Sequence, residues 1–339
     1  MNKKIVIQSN INKELLKEIV DQKNWLLVTD KNVFNIFSDR VNEYLSLNNN
    51  KIYYLDDYSV DQVLALSKHL LYSRFDAVVS FGGGTINDVC KLASKYANTE
   101  LISIPTIISN DGVCSNVSVL KIDDTHTDGF ASKAPDAVLV DIDIIKNSPA
   151  RYLKAGICDI LSNYSSIWDW DLAISKGKEE PNDLARIMSS NAFWSLFNLP
   201  DNIEEDLKIK IVCESIILSG LAMEIKGNTR PCSGSEHLFN HAMVSRHPEV
   251  RVLHGYLVGL GSLVSAILQK QNFNKLVSFL KRNDIDVRPS TLGISKEVFV
   301  DAWLHAKETR PSRYTILNEI KLTENLLLEI YDKIEKEAY

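Results

Sequence analysis

No stretch of this sequence stays apolar for the roughly 20 residues that a membrane-spanning helix needs, so no such helix is expected. Cysteine is sparse. The five cysteines, Cys90, Cys114, Cys158, Cys213 and Cys232, are odd in number and widely spaced, with no CxxC pair. That pattern argues against a disulfide framework and against a thiolate zinc site. Basic charge is not in excess: 38 Lys and Arg face 44 Asp and Glu, a formal net charge of -6. Nucleic acid is therefore not an expected partner, although a local basic pocket for one phosphate stays open. The first residues, with Lys3-Lys4 before Ile5-Val6-Ile7, turn polar too soon for a signal peptide. A reducing cytoplasm is the plain expectation. Internal repeats and low-complexity tracts are lacking as well.

Short apolar runs alternating with amphipathic stretches fill the first part of the chain. Strands are expected at 4–8, 25–29, 52–55, 77–81, 101–104 and 137–140, and helices at 33–47, 60–71 and 87–96. This alternation predicts a parallel, Rossmann-like sheet covered on both faces. The turn-rich segment 118–128 reads as a hairpin or a loop. After about Pro149 the pattern becomes helical, over 150–174, 183–195, 203–226, 235–244, 256–270, 273–282 and 296–307, with an amphipathic tail at 315–336. The expected fold class is an α/β N-terminal domain, residues 1–145, followed by an all-α domain, residues 146–339.

Three turns follow expected strands. Ala77-Val78-Val79-Ser80-Phe81 runs into Gly82-Gly83-Gly84-Thr85 and then a helix. Glycines there let the backbone approach a ligand and present N–H groups beside a helix N-terminus, which suits a pyrophosphate. A tight structural turn explains the same residues. GxGxxG fails because position 87 is Asn87, and no P-loop Gly-Lys-Ser/Thr follows. The second turn, 104–115, gathers Thr106, Ser109, Asp111 and Ser115 at a strand's C-terminal end, where open α/β sheets bind ligands. In the third, Asp30 either contacts an adenosine or caps a helix.

The helical half holds an acid, Asp159, among apolar neighbours; buried, it needs a partner, a hydrogen bond or a metal. His237 and His241 stand four apart and share a helix face. His254 follows, with the small residues Gly255, Gly259 and Gly261 allowing close packing. One carboxylate and two or three imidazoles suit Zn²⁺ or a similar divalent ion with a position open for substrate oxygen. A pair of half-exposed helical histidines is the competing explanation. The zincin motif is absent, since Glu236 precedes the first histidine. His69, His126, His247 and His305 read as surface or loop residues.

The run from Gly82 to Lys91 resembles the nucleotide loop of the iron-containing alcohol dehydrogenase and dehydroquinate synthase superfamily. Pro105-Thr106, Ser109-Asn110-Asp111-Gly112 and the stretches 156–170, 219–241 and 253–259 resemble its sn-glycerol-1-phosphate dehydrogenase branch, in the family's order. That resemblance implies a dehydroquinate synthase-like two-domain architecture. It implies NAD or NADP as cofactor and one divalent metal, zinc first, with nickel or another ion open. The reaction implied is reversible hydride transfer between dihydroxyacetone phosphate and sn-glycerol 1-phosphate, with a place in phospholipid metabolism. By resemblance, Gly82, Gly83, Gly84, Thr85 and Ile86 hold the pyrophosphate, and Thr106, Ser109 and Ser115 face the cofactor. Asp111 contacts substrate; Asp159, His237 and His254 bind the metal; His241 contacts substrate and relays its proton.

Departures accompany the match. Asn163 stands where a four-ligand ferrous site has a further histidine, which favours a three-ligand, zinc-type site. Asn110 replaces a common histidine, and 122–132 is acidic, with Asp123, Asp124 and Asp128, where a basic hairpin is expected. Another small polyol or polyol phosphate as substrate, a dehydroquinate synthase-like cyclase or lyase, and a non-catalytic binding protein stay open. So do NADH against NADPH and a homo-oligomer.

Overall fold

The computed structural model describes residues 3–123 and 127–338, so Asp124 and His126 lie outside the described residues. The chain forms two compact units by contact. The first comprises the residues up to Ile108, Gly112–Pro149 and Glu205–Cys213; the second comprises Ser109–Asp111, Ala150–Glu204 and the residues from Glu214 onward.

In the first unit the order is β1 (Lys4–Gln8), α1 (Lys13–Ile19), β2 (Trp25–Thr29), α2 (Lys31–Ile36), α3 (Ser38–Leu45), β3 (Ile52–Tyr54), α4 (Val60–Tyr72), β4 (Ala77–Gly82), α5 (Gly84–Ala97) and β5 (Glu100–Pro105). A hairpin of β6 (Val117–Lys121) and β7 (Thr127–Ala131) follows, then β8 (Ala137–Asp141) and α6 (Ile142–Lys146). Six strands pair in parallel in the order β1-β8-β5-β4-β2-β3. Strand alternation divides the core in two. Trp25, Leu27, Val79 and Phe81 pack on one face with Leu16 and Tyr44. Leu26, Val28 and Val78 pack on the other with Leu66 and Val89. Both faces are thus covered, as a parallel sheet requires.

The order in which strands are added reverses between β2 and β4. From β2 the chain steps outward to β3, and from β4 it steps the other way to β5. Such a switch point leaves a crevice at the strands' C-terminal ends, where doubly wound sheets bind nucleotides. The turn carrying Asp30 ends β2 and the glycine turn ends β4, so the topology places both at this crevice.

The second unit is helical: α7 (Ala150–Ser175), α8 (Asp183–Phe197), the later part of α9 (Glu205–Lys226), α10 (Ser235–Arg246), α11 (His254–Leu268), α12 (Phe273–Arg282), α13 (Lys296–His305) and α14 (Glu324–Glu337). Among the described residues no helix is long and apolar enough to cross a membrane.

Some elements differ from expectation, among them α6, where no helix was expected. The single helix expected at 33–47 is two, α2 and α3, broken at Phe37, whose backbone leaves the helical region (φ -118, ψ 32). Both short helices bury one face on the same cluster, so the apolar period runs through the break unchanged. Helix α1 lies where none was expected; Asn12 caps it by accepting from the Leu15 N–H. The tail expected at 315–336 begins as a short 3-10 turn, Ile316–Asn318, and becomes α-helical only at Glu324, because Thr315 and Thr323 each cap a separate piece. Of the segment at 118–128, residues 118–121 belong to β6 and 127–128 to β7, which pair antiparallel, and 124–126 lie outside the described residues.

Candidate active site

In the first unit the glycine turn works through space and not through unusual dihedrals. Gly82, Gly83 and Gly84 are absent from the positive-φ residues. A Cβ on Gly82 would run into Ile86, and one on Gly83 would stand 3.1 Å from the Ile107 tip, whereas one on Gly84 would meet nothing within 4 Å. Gly83 caps α5 without any side-chain hydrogen bond. A bare helix N-terminus beside open space fits an anion, so the turn suits a dinucleotide's phosphates. Asp30, Thr85 and Ile86 line one cavity of about 180 Å3, with Asp56 and Asp57 on its rim. The Thr106 N–H donates to the Gly82 carbonyl (3.0 Å), tying the second turn to the first.

Two residues buried behind this turn went unassigned in the sequence. Asn87 donates to the carbonyls of Gly112 (3.4 Å) and Val113 (3.3 Å). Lys91, fully buried, pairs with Asp88 at 2.7 Å and donates to the carbonyls of Gly112 and Val117. Burial raises the Asp88 carboxyl against the opposing pull of Lys91. Ser115 is buried and its hydroxyl turns to the Val117 carbonyl (3.4 Å).

In the second unit Asp159, His237 and His254 converge from α7, α10 and α11, their ligand atoms within 4.8 Å of one another. Close helix approach brings them there. A Cβ on Gly255 would strike the Ala155 carbonyl, one turn before Asp159, and a Cβ on Gly261 would lie 2.8 Å from the Glu236 carbonyl oxygen. Glycine at these two positions lets α11 sit against the backbones of α7 and α10.

The donor set suits a divalent cation. Asp159 is 3% exposed. Its Oδ2 accepts the Asp111 N–H (2.9 Å), while Oδ1 is buried without a hydrogen-bond donor. His254 Nε2 stands 3.3 Å and His237 Nε2 3.9 Å from that orphaned oxygen. Burial opposes the Asp159 charge, but His254, His237 and the Asp111 N–H together outweigh it and hold the carboxyl low, and the pairing with Asp159 raises His254. Glu236 Oε1 lies 3.0 Å from His237 Nδ1. With the proton on Nδ1, that contact leaves the Nε2 lone pair for a cation. Glu236, fully buried, is pushed up to about 7 by burial, though it accepts from the Gly234 N–H and from Ser165 Oγ (2.8 Å). Burial, then the neighbouring His254, pulls His237 down to about 3.

Other expected residues gather at this cluster. Ser219 Oγ donates to Asp111 Oδ2 (3.1 Å), and Asn163 Nδ2 donates to Ser219 Oγ (3.3 Å) and the Ser189 carbonyl (3.1 Å). The Asn163 amide is thus occupied in holding Asp111's partner. His241 lies one turn beyond His237 on α10; burial first, then Arg310, pulls it down to about 2. Ser109 lies half-exposed just before Asp111. Ser219, Arg310 and Arg313 were missed in the sequence, since single serines and arginines on helices or loops carry no spacing signal. Arg313 donates to the Ser233 carbonyl and to Thr229 Oγ1 (2.8 Å), bracing the loop that leads into α10. His69 is exposed on α4, while His247 and His305 pair with Asp301.

Residues 8–149 match the family model described as iron-containing alcohol dehydrogenase. The sequence is 32% identical to glycerol-1-phosphate dehydrogenase (NAD(P)+) of Nitrosopumilus maritimus, over 94% of this chain and 91% of the relative. For the protein of the same name from Saccharolobus islandicus, identity is 35% over 88% of this chain and 86% of the relative. The solved glycerol dehydrogenase of Schizosaccharomyces pombe shares the fold, with a TM-score of 0.80 at 21% identity over 99% of this chain and 90% of that one. Sheet, glycine turn and family match define the class, the NAD(P)-dependent dehydrogenases of iron-containing alcohol dehydrogenase type. Within that class the chain belongs to the glycerol-1-phosphate dehydrogenase family.

Proposed function

We propose that this enzyme reduces dihydroxyacetone phosphate to sn-glycerol 1-phosphate, reversibly, with a nicotinamide cofactor and one divalent ion, zinc. The observation that carries the metal is the buried, donor-free Oδ1 of Asp159 facing two imidazole nitrogens. Three ligands leave a position open for a substrate oxygen. Zinc over ferrous iron is supported by Asn163, whose amide is spent on Ser189 and Ser219. The relatives' printed name supports the substrate. So does charge: Arg310 and Arg313 act on His241 and His237, and cationic surroundings favour a phosphomonoester over a neutral polyol.

When bound, the ion supplies Lewis-acid polarisation of a carbonyl and the reduced nicotinamide supplies hydride equivalents. The chain's residues provide the rest. Asp159, His237 and His254 would hold the ion, with Glu236 fixing the His237 tautomer. Asp111, oriented by Ser219, accepts hydrogen bonds from substrate hydroxyls. His241, neutral at pH 7, donates one N–H to substrate and accepts at its other nitrogen. Gly82 to Ile86 receive the dinucleotide's phosphates, with Thr106, Ser109 and Ser115 as further cofactor contacts.

The test is a substrate comparison. Oxidation of reduced cofactor is followed with dihydroxyacetone phosphate, dihydroxyacetone and 3-deoxy-arabino-heptulosonate 7-phosphate, and the product's configuration is determined. Cofactor oxidation with the first compound and formation of the sn-1 isomer are expected. Faster turnover of unphosphorylated dihydroxyacetone contradicts the substrate assignment. Conversion of the heptulosonate without net cofactor oxidation contradicts the dehydrogenase reaction.

A further inference from the structure

We propose that Asp169 is a positioning residue: its carboxylate holds the arginine-bearing segment 310–316 to the start of α10, and that hold makes the site prefer a phosphorylated ketone to its unphosphorylated analogue. The proposal rests on the reading of this site as one for dihydroxyacetone phosphate, but on no choice of cofactor. Asp169 is too far away to be a ligand in the metal cluster. It shares α7 with Asp159 but lies about 15 Å further along the axis at the usual helical rise. Its side chain is fully buried. A buried carboxylate needs its charge answered, and the groups that answer it show what Asp169 serves.

Asp169 Oδ2 accepts both the N–H and the hydroxyl of Ser235, each at 2.7 Å. Ser235 opens α10 and stands two residues before His237. An N–H that the first turn of α10 leaves over is thus capped from another helix, by an acid. Asp169 Oδ1 accepts the Ile316 N–H (2.7 Å). Ile316 opens the 3-10 turn that follows Arg310 and Arg313. One carboxylate therefore bridges the two segments. The main chain adds a second tie, since buried Arg230 donates to the carbonyls of Asp169 (3.3 Å) and Tyr314. The Arg313 N–H donates to the Arg310 carbonyl (2.9 Å), so both arginines belong to one turn. Burial, then Glu236, pushes the Asp169 carboxyl up to about 6, and the Ser235 and Ile316 donors work against that rise. A longer acid has no room here, because a Cβ on Gly234 would already lie 2.6 Å from Oδ2. Apart from burial, the strongest pull on His241 comes from Arg310, and both arginines act on His237. Such effects depend on the distance between the guanidiniums and α10, which the Asp169 bridge sets.

Asp169→Asn tests the bridge, because the amide has one acceptor oxygen and one donor NH2 group. Oδ2 takes two hydrogen bonds and Oδ1 one, so the amide oxygen stays with Ser235 and the NH2 group faces the Ile316 N–H. The variant should release segment 310–316 and leave α10 in place. Zinc-loaded protein is assayed with dihydroxyacetone phosphate and with dihydroxyacetone at saturating reduced cofactor. KM for the phosphorylated ketone should rise about tenfold or more, while kcat and the KM for dihydroxyacetone stay within about threefold. Zinc affinity, read by chelator competition, should also stay within about threefold. Amide hydrogen exchange should show protection lost at Ile316 and kept along α10. Equal losses on both ketones, a fall in kcat at unchanged KM, or a loss of zinc affinity of about tenfold or more overturns the proposal, because Asp169 would then serve α10 and not the arginine segment. One arm needs no variant: an Ile316 amide that exchanges as fast as an exposed loop in the unaltered protein overturns the bridge, even if Asp169→Asn does not fold. An unaltered enzyme without preference for dihydroxyacetone phosphate overturns the substrate reading and the proposal with it. A preference that is present and undiminished in Asp169→Asn overturns the part of Asp169 alone.

Discussion

Asp159 sets the problem at the scale of single residues. A carboxylate buried this deeply is costly unless its charge is answered, and only one of its oxygens has a hydrogen-bond donor. Glu236 matters through what it does to His237. Glu236→Gln keeps the shape but can present an NH2 group to Nδ1. Metal affinity is expected to fall about 10–100-fold, the usual loss for such an outer partner, and competition with a chelator measures it. His241 makes a different prediction. Its imidazole is held neutral by burial and by Arg310, which makes it a hydrogen-bonding group more than a proton store. His241→Ala should keep its metal and raise KM for dihydroxyacetone phosphate more than it lowers kcat. A fall in kcat of about 10²–10⁴-fold at unchanged KM would instead mark His241 as the proton relay. Loss of metal would make it a ligand.

At the scale of elements, two glycine contacts position the chemistry. Gly255→Ala would press a methyl group on the Ala155 backbone and force α11 off α7. A loss of about 1–3 kcal/mol in stability is expected, with weaker metal retention because His254 moves too; chemical denaturation and metal analysis check both. Gly84→Ala is the opposite case. Its Cβ meets no protein atom within 4 Å and it lies in a helix's first turn, so the fold should be unharmed while cofactor affinity drops. Cofactor binding unchanged in Gly84→Ala would leave the turn as structure alone. Much of this was legible in the sequence. The strands of β2 and β4 are runs whose alternate residues pack on opposite faces; Asp159 stood out as an acid among apolar neighbours, and family resemblance joined His237 and His254 to it. The break at Phe37 was hidden because both helices bury one continuous face. The tie between Asn163 and Ser219 was hidden because a hydrogen bond across 56 residues leaves no periodic trace. The cavity rim was half visible. Asp30 ends a recognisable strand, but Asp56 and Asp57 join it only through the pairing of β3 with β2.

For the whole molecule, Asp159, His237 and His254 bring together three helices distant in sequence, α7, α10 and α11. An ion that binds only the folded state adds stability, about 4 kcal/mol when free metal stands at 1,000 times Kd. Chelation should therefore lower the melting temperature, and zinc should restore it; a melting temperature indifferent to chelator would mean that the cluster holds no ion. The most direct measurement follows NADH oxidation with dihydroxyacetone phosphate in wild-type and His237→Ala protein of known metal content. The wild type should carry about one divalent ion per chain and oxidise NADH only when dihydroxyacetone phosphate is present, lose that activity on chelation and regain it with zinc. His237→Ala should be folded, metal-poor and inactive. Full turnover by metal-free protein, or by His237→Ala, would contradict the account.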